Sequence, residues 1–166
     1  MKQKRGKQGK SAKPAPGPAD AYAAFMARAY AMELEATERY ARFAEELEAQ
    51  DNDEVAMLFR KLAEIEALHA KRILSEMGWA SLPALAPAFA WEGKEGPETA
   101  PLGALRRGLR PHQALKIALR CEIEAQKYFE SISSGAARVR AAAEEMAADE
   151  REHAALIRDW LARVRP

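Results

Sequence analysis

The sequence is poor in the features that would tie a protein to a membrane, an oxidising compartment or a polyanion. Its 166 residues contain one cysteine, Cys121, which excludes an internal disulfide framework and any four-thiolate iron or zinc site. No stretch approaches the roughly 18 consecutive apolar residues of a membrane span. Lysines open the chain, but no apolar segment follows them, so no secretory signal is read and the cytoplasm is the expected compartment. Charge of one sign is also missing. The 26 Lys and Arg face 25 Asp and Glu, for a formal net charge of +1, and this near cancellation gives no reason to expect a nucleic-acid partner. The length suits one domain with a core of its own.

Residues 1–19 carry Lys2, Lys4, Arg5, Lys7, Lys10 and Lys13, three prolines and no acid. They cannot bury surface, and they predict a disordered basic tail. Residues 20–166 read as one all-α domain of four amphipathic helices. The first runs from a cap at Asp20 to about Gln50. The polar turn Asp51-Asn52-Asp53 caps a second, which ends near Met77 with Gly78 as its stop. The third opens at Pro111 and runs to about Ile132. The break Ser133-Ser134-Gly135 then leads into a fourth, ending near Val164. Short breaks make each pair an antiparallel hairpin. The Pro- and Gly-rich residues 78–110 are long enough to cross a bundle of about 38 Å, with a short extra helix over 99–109. Two antiparallel hairpins joined by one long crossover is the connectivity of a ferritin-like four-helix bundle.

The apolar stripes of these helices are interrupted at six places. The second helix reads Val55, Phe59, Leu62, Glu66, His69, Ile73, and the fourth reads Val139, Ala143, Met146, Glu150, His153, Ile157, Trp160. The steps of three and four agree, and the polar pair Glu-x-x-His falls at the same place in both, side by side on one face. The first helix reads Met26, Ala29, Glu33, Ala36, Tyr40, Phe43, Leu47, and the third Leu115, Ala118, Glu122, Ala125, Phe129, Ile132. Each holds one glutamate amid apolar residues, with an alanine three residues on that leaves room beside the carboxylate.

Four carboxylates in a bundle core cost several kcal/mol each if unpaired, and no Lys or Arg lies on these stripes near them. Two divalent cations balance four glutamates charge for charge, and two neutral imidazoles complete the coordination. Hard oxygen ligands with a minority of histidine nitrogen suit two iron ions, with manganese or zinc as substitutes. Glu33, Glu66, His69, Glu122, Glu150 and His153 are therefore the candidate metal ligands, in the pattern known from dinuclear carboxylate bundles. Tyr40, two turns from Glu33, is a candidate for a supporting hydrogen bond, for a radical relay or for simple core packing. His112 reads as a surface residue, Cys121 as a buried inert thiol, Asp149 as exposed, and Trp79 and Trp91 as packing anchors.

The ordered set Glu33-x6-Tyr40, Glu66-x-x-His69, Glu122-x6-Phe129 and Glu150-x-x-His153 resembles the rubrerythrin branch of the ferritin-like superfamily, over residues 20–164. The resemblance implies a non-haem di-iron centre that reacts with hydrogen peroxide or oxygen, commonly in a homodimer. Rubrerythrins proper add a rubredoxin domain with four cysteines. This chain ends at Pro166 with one, so electrons are expected from a separate donor protein. The additional glutamate that rubrerythrins place three residues after the third helix's ligand is Ala125 here, and Phe129 replaces the counterpart of Tyr40, which makes the centre more symmetric. A peroxidase or oxidase is the first expectation. Ferroxidase or iron storage, monooxygenation with the apolar Leu82–Phe89 run as a groove, and a bundle without catalysis are the alternatives.

Overall fold

The structure, a computed structural model, describes residues 18–81, 108–132 and 135–165. Helix α1 spans Pro18–Glu48 and opens two residues ahead of the cap expected at Asp20. Proline is pre-shaped for a first turn and loses no hydrogen bond there, so the end of the expected tail already belongs to the helix. Helix α2 spans Asp53–Met77. The turn before it is tight, with Asp51 at φ 59°. Asn52 occupies the capping position but makes no side-chain bond to the helix; its amide donates to the Gln50 carbonyl at 3.0 Å. Asp53 and Glu54 instead place negative charge against the helix N-terminus. At the other end Gly78 adopts φ 65° and its N–H bonds the carbonyls of Leu74 and Ser75, the stop expected there.

Helix α3 spans Pro111–Glu130 and helix α4 spans Ala137–Leu161. The proline start of α3 is as expected, and the Gln113 side chain accepts a bond from the Arg110 N–H at 3.2 Å. Helix α3 stops two residues before Ile132. Helix α4 ends at Leu161, three residues short of Val164, in a last turn where the Arg163 N–H bonds the Trp160 carbonyl three residues back at 3.0 Å. The basic tail over residues 1–17, the crossover over 82–107 with Leu82–Phe89 and Trp91, most of the helix expected over 99–109, and Ser133-Ser134 lie outside the described residues.

Helix α1 packs along α2, and α3 along α4. The first hairpin is antiparallel. Tyr40 and Phe43 meet Phe59 near the turn, Glu33 lies beside His69 midway, and Tyr22 bonds Glu76 at the far end. No strand occurs among the described residues, and the ferritin-like four-helix bundle expected from the sequence is the fold observed. Its core divides into two apolar clusters. One, around Tyr40, Phe43, Leu47, Phe59, Leu62, Leu115 and Ile157, fills the end with the α1–α2 turn. The other, around Tyr22, Phe25, Met26, Ile73, Phe129 and Val139, fills the opposite end. The division arises because a polar layer runs through the bundle between them.

Candidate metal centre

All six residues singled out on the stripes meet in that layer. Glu33, Glu66, Glu122, Glu150 and His153 are each no more than 6% exposed, whereas the His69 side chain keeps 22% of its surface. Each helix contributes from its core-facing stripe, so the packing that buries the apolar neighbours also delivers the polar groups. Alanines 36 and 125, one turn beyond Glu33 and Glu122, are fully buried beside them.

The geometry forms two lobes that share Glu66. His69 Nδ1 lies 3.5 Å from one Glu66 oxygen and 3.7 Å from Glu33. His153 Nδ1 lies 3.1 Å from the other Glu66 oxygen, 3.3 Å from Glu150 and 3.4 Å from Glu122. The two imidazoles stack with centroids 5.4 Å apart and planes 13° from parallel. Potential ligand atoms of Glu66, His69 and His153 lie within 4.8 Å of one another, as do those of Glu66, Glu122, Glu150 and His153.

The charges within the layer act directly on one another. Burial by itself would raise the Glu66 carboxyl, but His153, His69 and Glu33 outweigh it and hold Glu66 down at about 2. Burial would likewise lower His153, but Glu122, Glu150 and Glu66 around the ring outweigh it and hold the imidazole far above its ordinary range.

These residues suit a metal pair on their own chemistry. Three carboxylate oxygens approach one His153 nitrogen, and none stands in line for a hydrogen bond; the same holds for both buried Glu66 oxygens. An arrangement of acceptors aimed at common points satisfies a cation better than it satisfies protons. The cluster can bind metal.

The remaining candidates fall elsewhere. Tyr40 is fully buried, and its hydroxyl makes no hydrogen bond; its ring packs on Phe59. Cys121 is buried in the apolar cluster as expected, and Trp79 packs against the other cluster. Asp149 and His112 are half-buried, not exposed. Asp149 lines a cavity of about 200 Å³ between α1, α2 and α4 that reaches Glu33 and His69. Sequence reasoning missed this groove. Its one signal is spacing, with Arg72 three residues after His69 and Glu145 four before Asp149. Arg39, only 7% exposed, was also missed.

The rubrerythrin family's sequence profile matches residues 24–82 and 113–166, which takes in all four helices and all six clustered residues. The chain belongs to the rubrerythrin family. As in the rubrerythrin pattern read from the sequence, each hairpin carries one lone glutamate and one Glu-x-x-His. A crystal structure of an uncharacterised conserved protein from Magnetospirillum magnetotacticum MS-1 is similar, with a TM-score of 0.71 and 30% identity over 87% of this chain and 96% of the other. No curated protein matches significantly. Among the described residues, no helix of this rubrerythrin-family chain is long and apolar enough to cross a membrane.

Proposed function

We propose that this chain is a di-iron oxidoreductase of rubrerythrin type, working as a cytoplasmic homodimer that reduces hydrogen peroxide or oxygen with electrons from a separate donor protein. The observation that carries this reading is the layer in which Glu66, Glu122, Glu150 and the two histidines gather their ligand atoms, with Glu33 lying 3.7 Å from His69. Glu33, His69 and one Glu66 oxygen would hold one ion; Glu122, Glu150, His153 and the other Glu66 oxygen would hold the second. Bound iron in such a layer supplies the two electrons that cleavage of an O–O bond requires.

The protein's own contribution is geometric and dielectric. Apolar clusters above and below the layer enclose Glu66, Glu122, Glu150 and His153 and strengthen the charge interactions among them. Glu66 reaches both lobes with separate oxygens and so fixes their separation. Electron delivery is assigned to a donor protein as part of the proposal, since Cys121 alone cannot form a thiolate iron site beside the centre.

Anaerobic loading with Fe(II), metal counting and stopped-flow mixing with peroxide test this reading. Two irons per chain and a rapid absorbance change with matching peroxide loss are expected. Protein that takes up no iron, or loaded protein that neither oxidises nor consumes peroxide, would sink it. Iron handling is the second reading, favoured by the carboxylate-rich groove beside Glu33 and His69; iron uptake and oxidation far beyond two per chain would select it.

A further inference from the structure

The groove between α1, α2 and α4 ends inside the six-residue layer. Tyr22, Glu76 and Arg138 line one end, and Glu33, His69 and Asp149 line the other. Arg138 and Asp149 stand on the same helix, eleven residues apart, so the groove extends about 16 Å along α4 at 1.5 Å per residue. Its apolar lining comes from Met26, Ile73, Ala141, Ala142 and Met146.

The charges are distributed unequally along it. Four carboxylates (Glu33, Glu76, Glu145 and Asp149) face two guanidinium groups, Arg72 and Arg138. Both arginines are engaged at the rim. Arg72 pairs with Glu145 across α2 and α4. Arg138 lies 3.8 Å from Glu76 and 3.9 Å from the Tyr22 ring centroid, while the Tyr22 hydroxyl donates to Glu76 at 2.5 Å. Half-buried Asp149 stands beyond these pairs, next to the inner end. A passage with excess negative charge and low-dielectric walls concentrates cations and repels anions.

The groove reaches only one of the two lobes. It touches Glu33 and His69, whose side chain is 22% exposed, and none of Glu122, Glu150 or His153, whose imidazole side chain is 8% exposed. A second cavity, between α3 and α4, is lined by Phe129, Glu130, Ile132, Arg140, Glu144, Ala147 and Arg151 and touches none of the six.

We infer that the groove is the loading route for divalent cations, with the Arg72–Glu145 pair as its electrostatic gate, and that the Glu33–His69 lobe exchanges its ion faster than the Glu122–Glu150–His153 lobe. This inference rests on the two-metal reading above. An incoming ion meets Asp149, then Glu33 and His69, and reaches the inner lobe only past Glu66.

Anaerobic Co(II), followed by its visible absorption, tests the route without any turnover. In the full-length protein loaded with two Co(II), a chelator should remove one equivalent quickly and the other slowly. Uptake by the metal-free protein should slow roughly tenfold in Glu145→Gln and quicken comparably in Arg72→Ala, with both differences shrinking as salt rises. A merely structural role for the ion pair would move both variants the same way. Release of both ions in one phase, or uptake rates indifferent to both substitutions, would overturn the inference. Failure to bind two Co(II) at all would count against the two-metal reading instead, so the two failures are told apart.

Discussion

The two Glu-x-x-His pairs occupy matching places in the two hairpins, yet their surroundings differ. His153 is enclosed and faces three carboxylates within 3.4 Å. His69 faces two at 3.5 and 3.7 Å and keeps nearly a quarter of its side chain in contact with solvent. The ligands repeat; the access to them does not. The residues about three turns before each histidine differ as well. Ala141 and Ala142 on α4 line the groove that opens towards His69, whereas the equivalent positions on α2 carry Met57 and Leu58, the latter buried in the core. A near-duplicate ligand set thus holds one position that a groove reaches and one that it does not.

The strongest way to break this comparison is at the residue both lobes share. Glu66→Ala should abolish binding of both ions, whereas His69→Ala and His153→Ala should each lose one. At ligand concentrations near 100 times Kd, each bound ion contributes about 2.7 kcal/mol. For a domain of this size, two ions correspond to a rise in Tm of more than about 10 °C. Differential scanning calorimetry with and without Fe(II) should show that rise in the parent chain and none in Glu66→Ala. A single ion retained by Glu66→Ala would mean that the lobes are independent.

In the metal-free protein the lobes should separate by stability alone. His153→Ala strands buried carboxylates and should cost about 3–5 kcal/mol. His69→Ala affects a partly exposed contact and should cost about 1 kcal/mol or less. Urea unfolding of the two variants measures the difference, and equal losses would erase the distinction between closed and open.

The pH profile sharpens the same contrast. Glu66 has a folded pKa depressed from 4.5 to about 2, so its contribution is present above 4.5 and declines as pH falls towards 2. His153 is raised from 6.5, so its contribution is complete below 6.5 and declines as pH rises beyond it. Metal-free protein should therefore melt highest between about pH 4.5 and 6.5. The decline above neutrality should persist in His69→Ala and vanish in His153→Ala. Metal affinity should run the other way and climb with pH, because ligation needs the neutral imidazole.

Much of this arrangement is legible in the sequence because it is written in periodicity. The stripes of α2 and α4 share their steps, so Glu66-x-x-His69 and Glu150-x-x-His153 stand out against Leu62 and Ile157 as polar residues on buried faces. Pro111 and Gly78 mark their helix ends through backbone restrictions that act locally. The groove left no comparable trace. Arg72, Glu76, Arg138 and Glu145 occupy helix flanks where solvated charges are ordinary, and only the gap between α2 and α4 brings them together. Arg39 shows the same limit, since it lies beside the stripe and its burial depends on what packs over α1. The loss of a carboxylate at Ala125 and of a tyrosine at Phe129 suggests a symmetric centre. Symmetry of ligands is a property of spacing, whereas symmetry of access is a property of the space between helices.

The smallest expected effect concerns Tyr40, which the same spacing rule places on the metal-facing stripe. Its ring lies 5.8 Å from Phe59 and its hydroxyl is buried without a hydrogen-bond partner. A hydroxyl that leaves water and gains no bond opposes folding, by about 1–3 kcal/mol in mutational series. Removing it while keeping the ring retains the aromatic contacts and relieves that cost. Tyr40→Phe should therefore leave metal stoichiometry at two and stability unchanged or raised by about 1 kcal/mol, read by urea titration and Co(II) counting on the same preparation. A loss of stability, or slower oxidation of bound iron, would assign the hydroxyl a partner and return Tyr40 to the support of the centre. Phe129, its counterpart on α3, offers the internal reference: the closed lobe's half of the bundle already packs without that oxygen.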